Sequence, residues 1–490
     1  MRRAAFALVA LLAIPACAPK APISVPTASQ PTPGPVPLDT LRNELNTIFQ
    51  APAFERSFWS VLVRQASSGQ VIYELNSDKL VMPGSTLKIV TAAVAAERLG
   101  WDHRFETRIV ATDPVENGVL RGDLIVVGGA DPSISERSET PGILRALARE
   151  VRNAGITRIE GGIVGDDDML DDRGLGDGWT LDNLPYGYSA PVSALFYNEG
   201  SVDLVITAGA LAGDPVSLQV KPEGSGLKVD NRLATVAENG AGALTLQRSP
   251  GSSRVIVQGQ IPAKSAPFVR TASVDNPTMF FANAFRAALM AEGVKVDGDA
   301  ADIDDFVDKP DMSDVRTIAS RRSPPLRDLI GAMMRVSQNQ YAELLLKSIG
   351  GRRTIQEVTA AWGLPTDSLV VADGSGLSRY NYVTAASLVG VLQRMQADET
   401  HSREFMASLP AAGSDGPLAK RFAGTAADGK VHAKTGTVDN VRGIAGYVQS
   451  GDNETLVFSI IANNFTAPNS VVDAAADQAL SALAAFSTRR

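Results

Sequence analysis

The stretch Val81-Met82-Pro83-Gly84-Ser85-Thr86-Leu87-Lys88 leads directly into a mostly apolar run over residues 89–99. The Pro-Gly pair before this run and Gly100 after it are helix-boundary signals, so the sequence predicts one helix over about residues 85–99. Because most positions after Lys88 are Ile, Val, Ala or Leu, we expect that helix to be buried on most sides. Two polar side chains in its first turn therefore need a chemical explanation.

Ser85 and Lys88 are these two side chains, and their spacing of three places them on one face of the helix. A serine hydroxyl with an amine one turn away is an arrangement that activates a nucleophile. Burial disfavours the ammonium form of a lysine, so its pKa falls and it can accept the serine proton. The alternative is a serine that caps the helix and a lysine whose amine reaches solvent. A Ser-x-x-Lys match is expected about once by chance in a chain of this length, so this stretch alone does not decide.

Length, charge and histidine content exclude several classes of protein. With 490 residues, of which 44% are hydrophobic, the chain can form two or three domains. A net charge of −8 without basic clusters argues against nucleic acid as a partner. The three histidines, His103, His401 and His432, have no metal-ligand spacing, so a Ser-His-Asp triad or a zinc hydrolase is poorly supported. We expect no cofactor and no metal: the six aspartates of residues 165–178 fit no calcium-binding loop, and a solvated turn is favoured there.

The N-terminus has the pattern of an export signal. Arg2-Arg3 precede an apolar run over residues 4–14, which is too short for a transmembrane helix, so residues 1–16 are predicted to be a signal peptide. Cys17 is the only cysteine, and its place after Ile14-Pro15-Ala16 resembles a bacterial lipoprotein cleavage box. We therefore expect lipidation of Cys17, a Pro-rich tether over residues 17–37 and a periplasmic, lipid-anchored protein. Plain secretion with removal of Cys17 is the alternative.

The rest of the chain alternates between helical and strand patterns. Residues 200–270 consist of short alternating strands separated by Gly, Pro and Ser turns, which indicates an all-β insert. Helical periodicity returns after residue 277, and residues 326–349 predict two helices that meet near Ser337. Two late strands are predicted at 444–448 and 456–462, before a closing helix at about 471–483.

Two further polar clusters lie on these elements. Ser337-Gln338-Asn339 interrupts two apolar helices, and its alternative interpretation is a helix-joining loop with capping residues. Lys434-Thr435-Gly436-Thr437 precedes a strand, and its alternative is an exposed edge-strand lysine. Neither cluster is decisive alone. Ser-x-x-Lys, Ser-x-Asn and Lys-Thr-Gly in this order, each on the expected element, are the signature of penicillin-recognising serine enzymes.

The sequence resembles the serine D-Ala-D-Ala carboxypeptidase/endopeptidases, the class C low-molecular-mass penicillin-binding proteins. Further stretches carry the same resemblance: Asp373-Gly374-Ser375-Gly376-Leu377-Ser378-Arg379-Tyr380-Asn381, Leu409-Pro410-Ala411-Ala412-Gly413-Ser414-Asp415-Gly416, Gly128-Gly129-Ala130-Asp131-Pro132-Ser133 and Val431-His432-Ala433-Lys434-Thr435-Gly436. The long interval between Ser85 and Ser337 also matches a family that carries inserted domains there. The resemblance implies a mixed α/β transpeptidase domain of the penicillin-binding-protein/β-lactamase type, an antiparallel sheet flanked by helices, with a large β-rich insertion. We expect the catalytic domain at residues 38–102 and 275–490, and two inserted domains at 103–274.

The resemblance also implies an acyl-serine mechanism. Ser85 would attack the peptide carbonyl, and Lys88 would accept its proton. Ser337 would relay a proton to the departing amine, while Asn339 would orient Lys88 and the substrate amide. Lys434 would supply positive potential.

Residues that bind the substrate follow from the same resemblance. Thr435 and Thr437 would bind the substrate carboxylate, the amides of Ser85 and Thr437 would hold the oxyanion, and Gly436 would allow close approach of the strand. Arg379 would recognise the free carboxylate of a diaminopimelic side chain; its alternative is a surface arginine paired with a nearby acid. Asp182 is the candidate for an acidic residue near the substrate.

The implied function is hydrolysis of the D-Ala-D-Ala bond, of D-Ala-diaminopimelate cross-links, or of both, in peptidoglycan stem peptides. β-Lactams would be covalent inhibitors. One alternative is a β-lactamase, which would be far shorter. The other is a non-catalytic peptidoglycan-binding envelope lipoprotein, which predicts loss of Ser85, Lys88 or Lys434, and all three are present. Asp439 stands where a neutral residue is more usual, so the specificity for the substrate side chain stays open.

Overall fold

The computed structural model describes residues 37–137, 141–414 and 416–487. The predicted signal peptide at 1–16, the lipidation at Cys17 and all of the tether except residue 37 lie outside these ranges. None of the helices in the described ranges combines the length and hydrophobicity that a bilayer crossing requires.

Ten α-helices are formed by the described residues. They are α1 Leu38–Phe49, α2 Lys88–Leu99, α3 Ile143–Asn153, α4 Pro277–Ala291, α5 Leu326–Val336, α6 Asn339–Ser348, α7 Arg352–Ala361, α8 Ala385–Ala397, α9 Ser402–Ser408 and α10 Asn469–Ala485. The helix predicted over residues 85–99 begins as a 3₁₀ turn, Gly84–Leu87, and becomes α-helical only from Lys88.

Twenty-two strands accompany these helices in the described ranges. They are β1 Phe58–Gln65, β2 Val71–Leu75, β3 Glu106–Ala111, β4 Val115–Glu116, β5 Val119–Leu120, β6 Leu124–Val127, β7 Arg158–Ile159, β8 Ile163–Asp166, β9 Ser201–Thr207, β10 Ser217–Lys221, β11 Lys228–Val236, β12 Ala243–Gln247, β13 Arg254–Pro262, β14 Phe268–Ser273, β15 Lys295–Val296, β16 Ala300–Asp302, β17 Arg316–Arg322, β18 Leu369–Val370, β19 Tyr382–Val383, β20 Val431–Val438, β21 Val441–Gln449 and β22 Thr455–Asn463.

A five-stranded antiparallel sheet, in the order β2-β1-β22-β21-β20, forms the centre of the catalytic part. Successive side chains of a strand point to opposite faces. On β22, Val457 and Ile461 pack with α2, α5, α6 and α8 on one face. Phe458 and Ile460 pack with α1 and α10 on the other. The predicted antiparallel sheet flanked by helices is confirmed.

The segment between α2 and α5 forms a separate lobe with its own core. Its largest sheet has the order β16-β8-β6-β3-β17, and α3 and α4 pack against it. Two three-stranded sheets, β10-β9-β14 and β11-β13-β12, supply the β-rich part that the sequence predicted at residues 200–270.

The inserted lobe was predicted to end before residue 275. The strand pairing indicates that the chain returns to the catalytic part further along the sequence, after β17. Helix α4 belongs to the core of the inserted lobe, and β17 pairs with β3 at the start of that lobe. The outgoing and returning chains run side by side: the Ser323 amide donates to the Phe105 carbonyl and the Leu326 amide to the His103 carbonyl, each at 2.8 Å. Helical periodicity after residue 277 could not reveal this, because it does not say which core a helix joins.

Candidate active site

The three polar clusters meet at the junction of the 3₁₀ turn, the α5–α6 corner and β20. The Lys88 Nζ lies 3.0 Å from the Ser85 Oγ and 2.7 Å from the Asn339 Oδ1. On the other side, the Lys434 Nζ donates to the Ser337 Oγ at 2.8 Å. Ser337 ends α5 with a left-handed backbone, φ 60°, and α6 begins two residues later at Asn339. The structure thus brings all five predicted catalytic side chains together.

The Lys88 amine is completely buried, with 0% of the residue exposed. Burial lowers its pKa to about 7, against the opposing charges of Asp373 and Glu343. Besides Ser85, its neighbours are the Asn339 Oδ1 and the Ser375 carbonyl oxygen at 2.8 Å. Both are acceptors only, and they engage the two N–H groups of a neutral amine. The remaining lone pair then faces the Ser85 hydroxyl, which is the geometry of a general base.

The Asn339 amide is held in the orientation that this arrangement needs. Its Nδ2 donates to the Tyr188 carbonyl at 2.7 Å, so its Oδ1 faces Lys88. An amide placed between one acceptor and one donor has its two ends fixed by that network. Tyr188 belongs to the inserted lobe, so this lobe contributes directly to the site.

Lys434 is the second buried amine of the site, with 0% of the residue exposed. Burial, and next the charge of Lys88, lower the pKa of Lys434 well below its usual value. Its amine also donates to the Thr435 carbonyl at 2.8 Å. The Ser337 hydroxyl accepts from Lys434 and therefore keeps its own O–H available for donation.

Two glycines allow β20 to lie directly against the turn that carries Ser85. A Cβ atom at Gly436 would stand 2.5 Å from the Pro83 carbonyl oxygen and 3.1 Å from the Ser85 amide nitrogen. A Cβ atom at Gly84, whose φ is +54°, would stand 3.0 Å from the Thr437 amide nitrogen. The amides of Ser85 and Thr437 thus lie at one contact, which is where an oxyanion site made of two N–H groups is needed.

A cavity of about 490 Å³ opens at this junction. Among the described residues, Ser85, Ser337, Asn339 and Thr437 line it, and Thr435 and Gly436 do not. Two of the other predicted substrate residues, Arg379 and Asp182, also line it, together with Asn183, Tyr188 and Asp439. The Arg379 guanidinium lies 3.9 Å from the Asp439 carboxylate, which is largely exposed.

Sequence reasoning missed two buried acids beside Lys88, Glu343 and Asp373. Glu343 lies one helical turn after Asn339 on α6. Because residues four apart share one face of a helix, the sequence could have indicated a carboxylate near Asn339. Asp373 opens the Gly-rich stretch that carried the family resemblance, but composition gives no reason to place it under Lys88.

Ion pairs hold three aspartates of the segment 165–178, namely Asp168, Asp171 and Asp177. The carboxylates of Asp167, Asp168 and Asp304 come within 4.8 Å of one another. The Lys309 ammonium lies 2.8 Å from both Asp168 and Asp304 and neutralises much of this charge. Asp171 pairs with Lys347 of α6 at 2.6 Å, so part of the segment fastens the inserted lobe to the catalytic part.

The D-Ala-D-Ala carboxypeptidase 3 (S13) family matches residues 41–487. The chain belongs to this family. A D-alanyl-D-alanine carboxypeptidase of Actinomadura sp. is 34% identical over 455 residues, which cover 88% of this chain and 82% of the relative. The D-alanyl-D-alanine carboxypeptidase DacB of Haemophilus influenzae is 26% identical over 420 residues, which cover 83% of this chain and 85% of the relative.

Structural similarity leads to the same family. The crystal structure of penicillin-binding protein 4 (dacB) from Haemophilus influenzae superimposes with a TM-score of 0.78 at 25% sequence identity. The match covers 90% of this chain and 97% of that one. The predicted family, the mixed α/β fold and the expectation of a D-Ala-D-Ala carboxypeptidase are therefore confirmed. The similarity extends over both the catalytic part and the inserted lobe, so it does not rest on the three short motifs alone.

Proposed function

We propose that the protein cleaves the D-Ala-D-Ala bond of peptidoglycan stem peptides, and D-Ala-diaminopimelate cross-links of the same chemistry, through an ester on Ser85. The observation that carries this proposal is the Lys88 amine, whose two acceptor neighbours leave its lone pair directed at the Ser85 hydroxyl 3.0 Å away. A pKa of about 7 makes this amine a base at neutral pH.

Acylation proceeds by attack of the Ser85 Oγ on the carbonyl carbon of the scissile bond, while Lys88 takes the hydroxyl proton. The amides of Ser85 and Thr437 hold the resulting oxyanion; loss of one such donor costs about 3–4 kcal/mol in other acyl-transfer enzymes. As the C–N bond breaks, the proton that Lys88 took from Ser85 passes through the Ser337 hydroxyl to the leaving amine, so that Lys88 is neutral again and Ser337 keeps its hydroxyl.

Deacylation repeats the same steps with water as the nucleophile. The water oxygen bonds to the ester carbonyl carbon as Lys88 takes a proton from it. The ester C–O bond then breaks, Lys88 returns the proton to the Ser85 oxygen, and the shortened peptide leaves as a carboxylic acid. Lys434 supports both halves of the cycle because its donation to Ser337 orients that hydroxyl towards the cavity. Neither half of the cycle consumes or produces anything beyond the peptide, water and the released amine.

Substrate recognition is assigned to the cavity residues. Arg379 would bind the free carboxylate of a diaminopimelic side chain, as a guanidinium binds carboxylates in a bidentate manner. Thr437 lines the cavity beside Ser85 and would contact the terminal carboxylate, and Asp182 would face a substrate cation. The Thr435 carbonyl accepts a hydrogen bond from the Lys434 amine and so helps to fix the position of that amine beside the cavity.

The deciding experiment is intact mass against time after addition of benzylpenicillin, with Ser85→Ala as the matched control. A persistent single adduct that is absent from the variant supports the acyl-serine chemistry and predicts release of D-Ala from peptides ending in D-Ala-D-Ala. An adduct that vanishes within seconds while penicillin is consumed would replace the proposal with a β-lactamase. No adduct would favour the non-catalytic lipoprotein.

Export and anchoring are proposed from the sequence alone. Residues 1–16 would direct the chain across the inner membrane, Cys17 would carry the lipid, and residues 17–37 would span the distance to the catalytic domain. Incorporation of labelled palmitate in cells, and its loss in Cys17→Ala, would support the anchor. Wild-type protein that takes up no label would refute it.

A further inference from the structure

Helix α6 and the turn after β18 each bring one buried carboxylate close to Lys88: Glu343 from the helix and Asp373 from the turn. Glu343 is 5% exposed and Asp373 is 1% exposed. Both engage backbone amides: Glu343 accepts from Gly374 at 3.0 Å and from Ser375 at 2.9 Å. Neither acid takes a direct part in the acyl transfer. Because the burial of a charged group is costly, two buried carboxylates that each accept several hydrogen bonds indicate a specific role.

Their contacts fix two consecutive peptide groups, each at both ends. In the first peptide, the Gly374 carbonyl accepts from the Thr91 hydroxyl at 2.7 Å and the Ser375 N–H donates to Glu343. In the second, the Ser375 carbonyl accepts from the Lys88 amine at 2.8 Å and the Gly376 N–H donates to Asp373 at 2.8 Å. The carbonyl that holds Lys88 therefore cannot rotate without breaking a bond to a carboxylate.

We propose that Glu343 and Asp373 are positioning residues that aim the Lys88 lone pair at Ser85 through these two peptide groups. The inference rests on the proposed function, in which Lys88 is the base. If the Ser375 carbonyl turned away, the amine would lose one of its two acceptors, and an N–H could then point at Ser85 in place of the lone pair. A small displacement of this kind lowers reaction rates strongly.

The same acids also act on Lys88 through their charge. The charged groups that face Lys88 are Glu343 from α6, Asp373 from the turn after β18 and Lys434 from β20. The two carboxylates raise the pKa of Lys88 and thus oppose the effect of burial. Burial, and next the charge of Asp373, in turn raise the pKa of Glu343. The pKa of Glu343 rises to about 8, close to that of Lys88, so the two groups titrate as a coupled pair. A side chain at position 343 that cannot ionise removes this coupling and shifts the onset of base catalysis towards lower pH.

Glu343→Gln is the sharpest test, because the amide oxygen can keep the bonds that Gly374 and Ser375 make with the Glu343 Oε1. Asp373→Asn is a poorer choice, since four donors point at that carboxylate: Gly376, Ser378, Asn381 and Trp179. The measurement is the rate of Ser85 acylation by benzylpenicillin as a function of pH, with thermal unfolding of each variant. Glu97→Gln, on the same helix as Lys88 but paired with His401, is the matched control.

For Glu343→Gln we expect the plateau rate to fall about tenfold and the midpoint of the acid limb to fall by up to about one pH unit. Glu97→Gln should keep the wild-type profile. A Glu343→Gln profile that coincides with wild type, or a rate that is reduced equally at every pH with an unmoved midpoint, would overturn the proposal.

Glu343→Asp keeps the charge but withdraws it from the peptide groups. This variant should keep the wild-type midpoint and lower the plateau rate. If Glu343→Gln does not fold, Glu343→Asp is sufficient to test the proposal. An unchanged plateau rate would overturn it. Wild-type acylation in the same experiment separates the two hypotheses. Without a wild-type adduct the proposed function itself fails, whereas a wild-type adduct with unaltered variants removes only the positioning role.

Discussion

At the scale of single residues, the Lys88 amine has to be neutral before it can take the Ser85 proton. Its folded pKa of about 7 is lowered by burial, so protons add to it as the pH falls below neutrality. We therefore expect the acylation rate to drop about tenfold for each pH unit below pH 7, with a plateau above it. Stopped-flow acylation by a chromogenic cephalosporin would measure this. A rate that stays flat down to pH 5, in protein shown to be folded there, would contradict the assignment of Lys88 as base.

Arg379 has a different place in the site, because it contacts the cavity and not the reacting atoms. Arg379→Ala should lower kcat/KM by about 10- to 100-fold for a peptide with a free diaminopimelate carboxylate. This loss corresponds to the free energy of one or two charge-assisted hydrogen bonds. The same change should leave acylation by benzylpenicillin nearly unaltered. Arg353→Ala, which removes an exposed arginine paired with Glu357 on α7, is the control. If both substrates were affected equally, Arg379 would be a structural residue paired with Asp439.

At the scale of secondary-structure elements, the contact between β20 and the 3₁₀ turn depends on the missing side chain of Gly436. A methyl group there would lie 2.5 Å from the Pro83 carbonyl oxygen, so Gly436→Ala has to push the strand away from Ser85. We expect acylation to fall about 10- to 100-fold, because the oxyanion site opens, and the stability to fall by about 1–3 kcal/mol.

Gly331→Ala is the matched control for that change. Gly331 lies inside α5, where an added methyl group meets no atom within 4 Å. Alanine should therefore raise stability by about 0.5–1 kcal/mol without altering acylation. Equal acylation rates in the two variants would show that the strand contact does not shape the site.

The elements also show how far the sequence could predict this molecule. Ser85, Lys88, Ser337 and Lys434 were predictable because short motifs mark positions where a polar group interrupts an apolar element. The roles of Glu343 and of the Ser375 carbonyl were not, since they depend on a turn that packs beneath Lys88 from far along the chain. The end of the inserted lobe depends on a similar long-range contact: β17 pairs with β3 about two hundred residues earlier, and periodicity carries no information on such pairing.

At the scale of the whole molecule, the inserted lobe forms one wall of the site. The Tyr188 carbonyl orients Asn339, and the Gly187 carbonyl accepts from Gln340 at 2.9 Å. The Asp177 carbonyl accepts from the Ser378 hydroxyl at 2.5 Å, on the turn that supports Lys88. A lobe that served only as a spacer would not need contacts with the residues that hold the base.

Trp179 makes the contact of this kind that can be removed most cleanly. Its indole N–H donates to the Asp373 carboxylate at 2.9 Å, whereas the Ser378 amide continues to bind the same oxygen. Trp179→Phe should lower the acylation rate about tenfold through loss of one charge-assisted bond, with a change of only a few degrees in the unfolding temperature. Trp362→Phe, at the end of α7 on the core of the catalytic part, is the control and should affect stability without a comparable loss of rate. If Trp179→Phe acylates as fast as wild type, the lobe does not act on the base through Asp373, and its effect on Lys88 is carried by the contact between the Tyr188 carbonyl and Asn339.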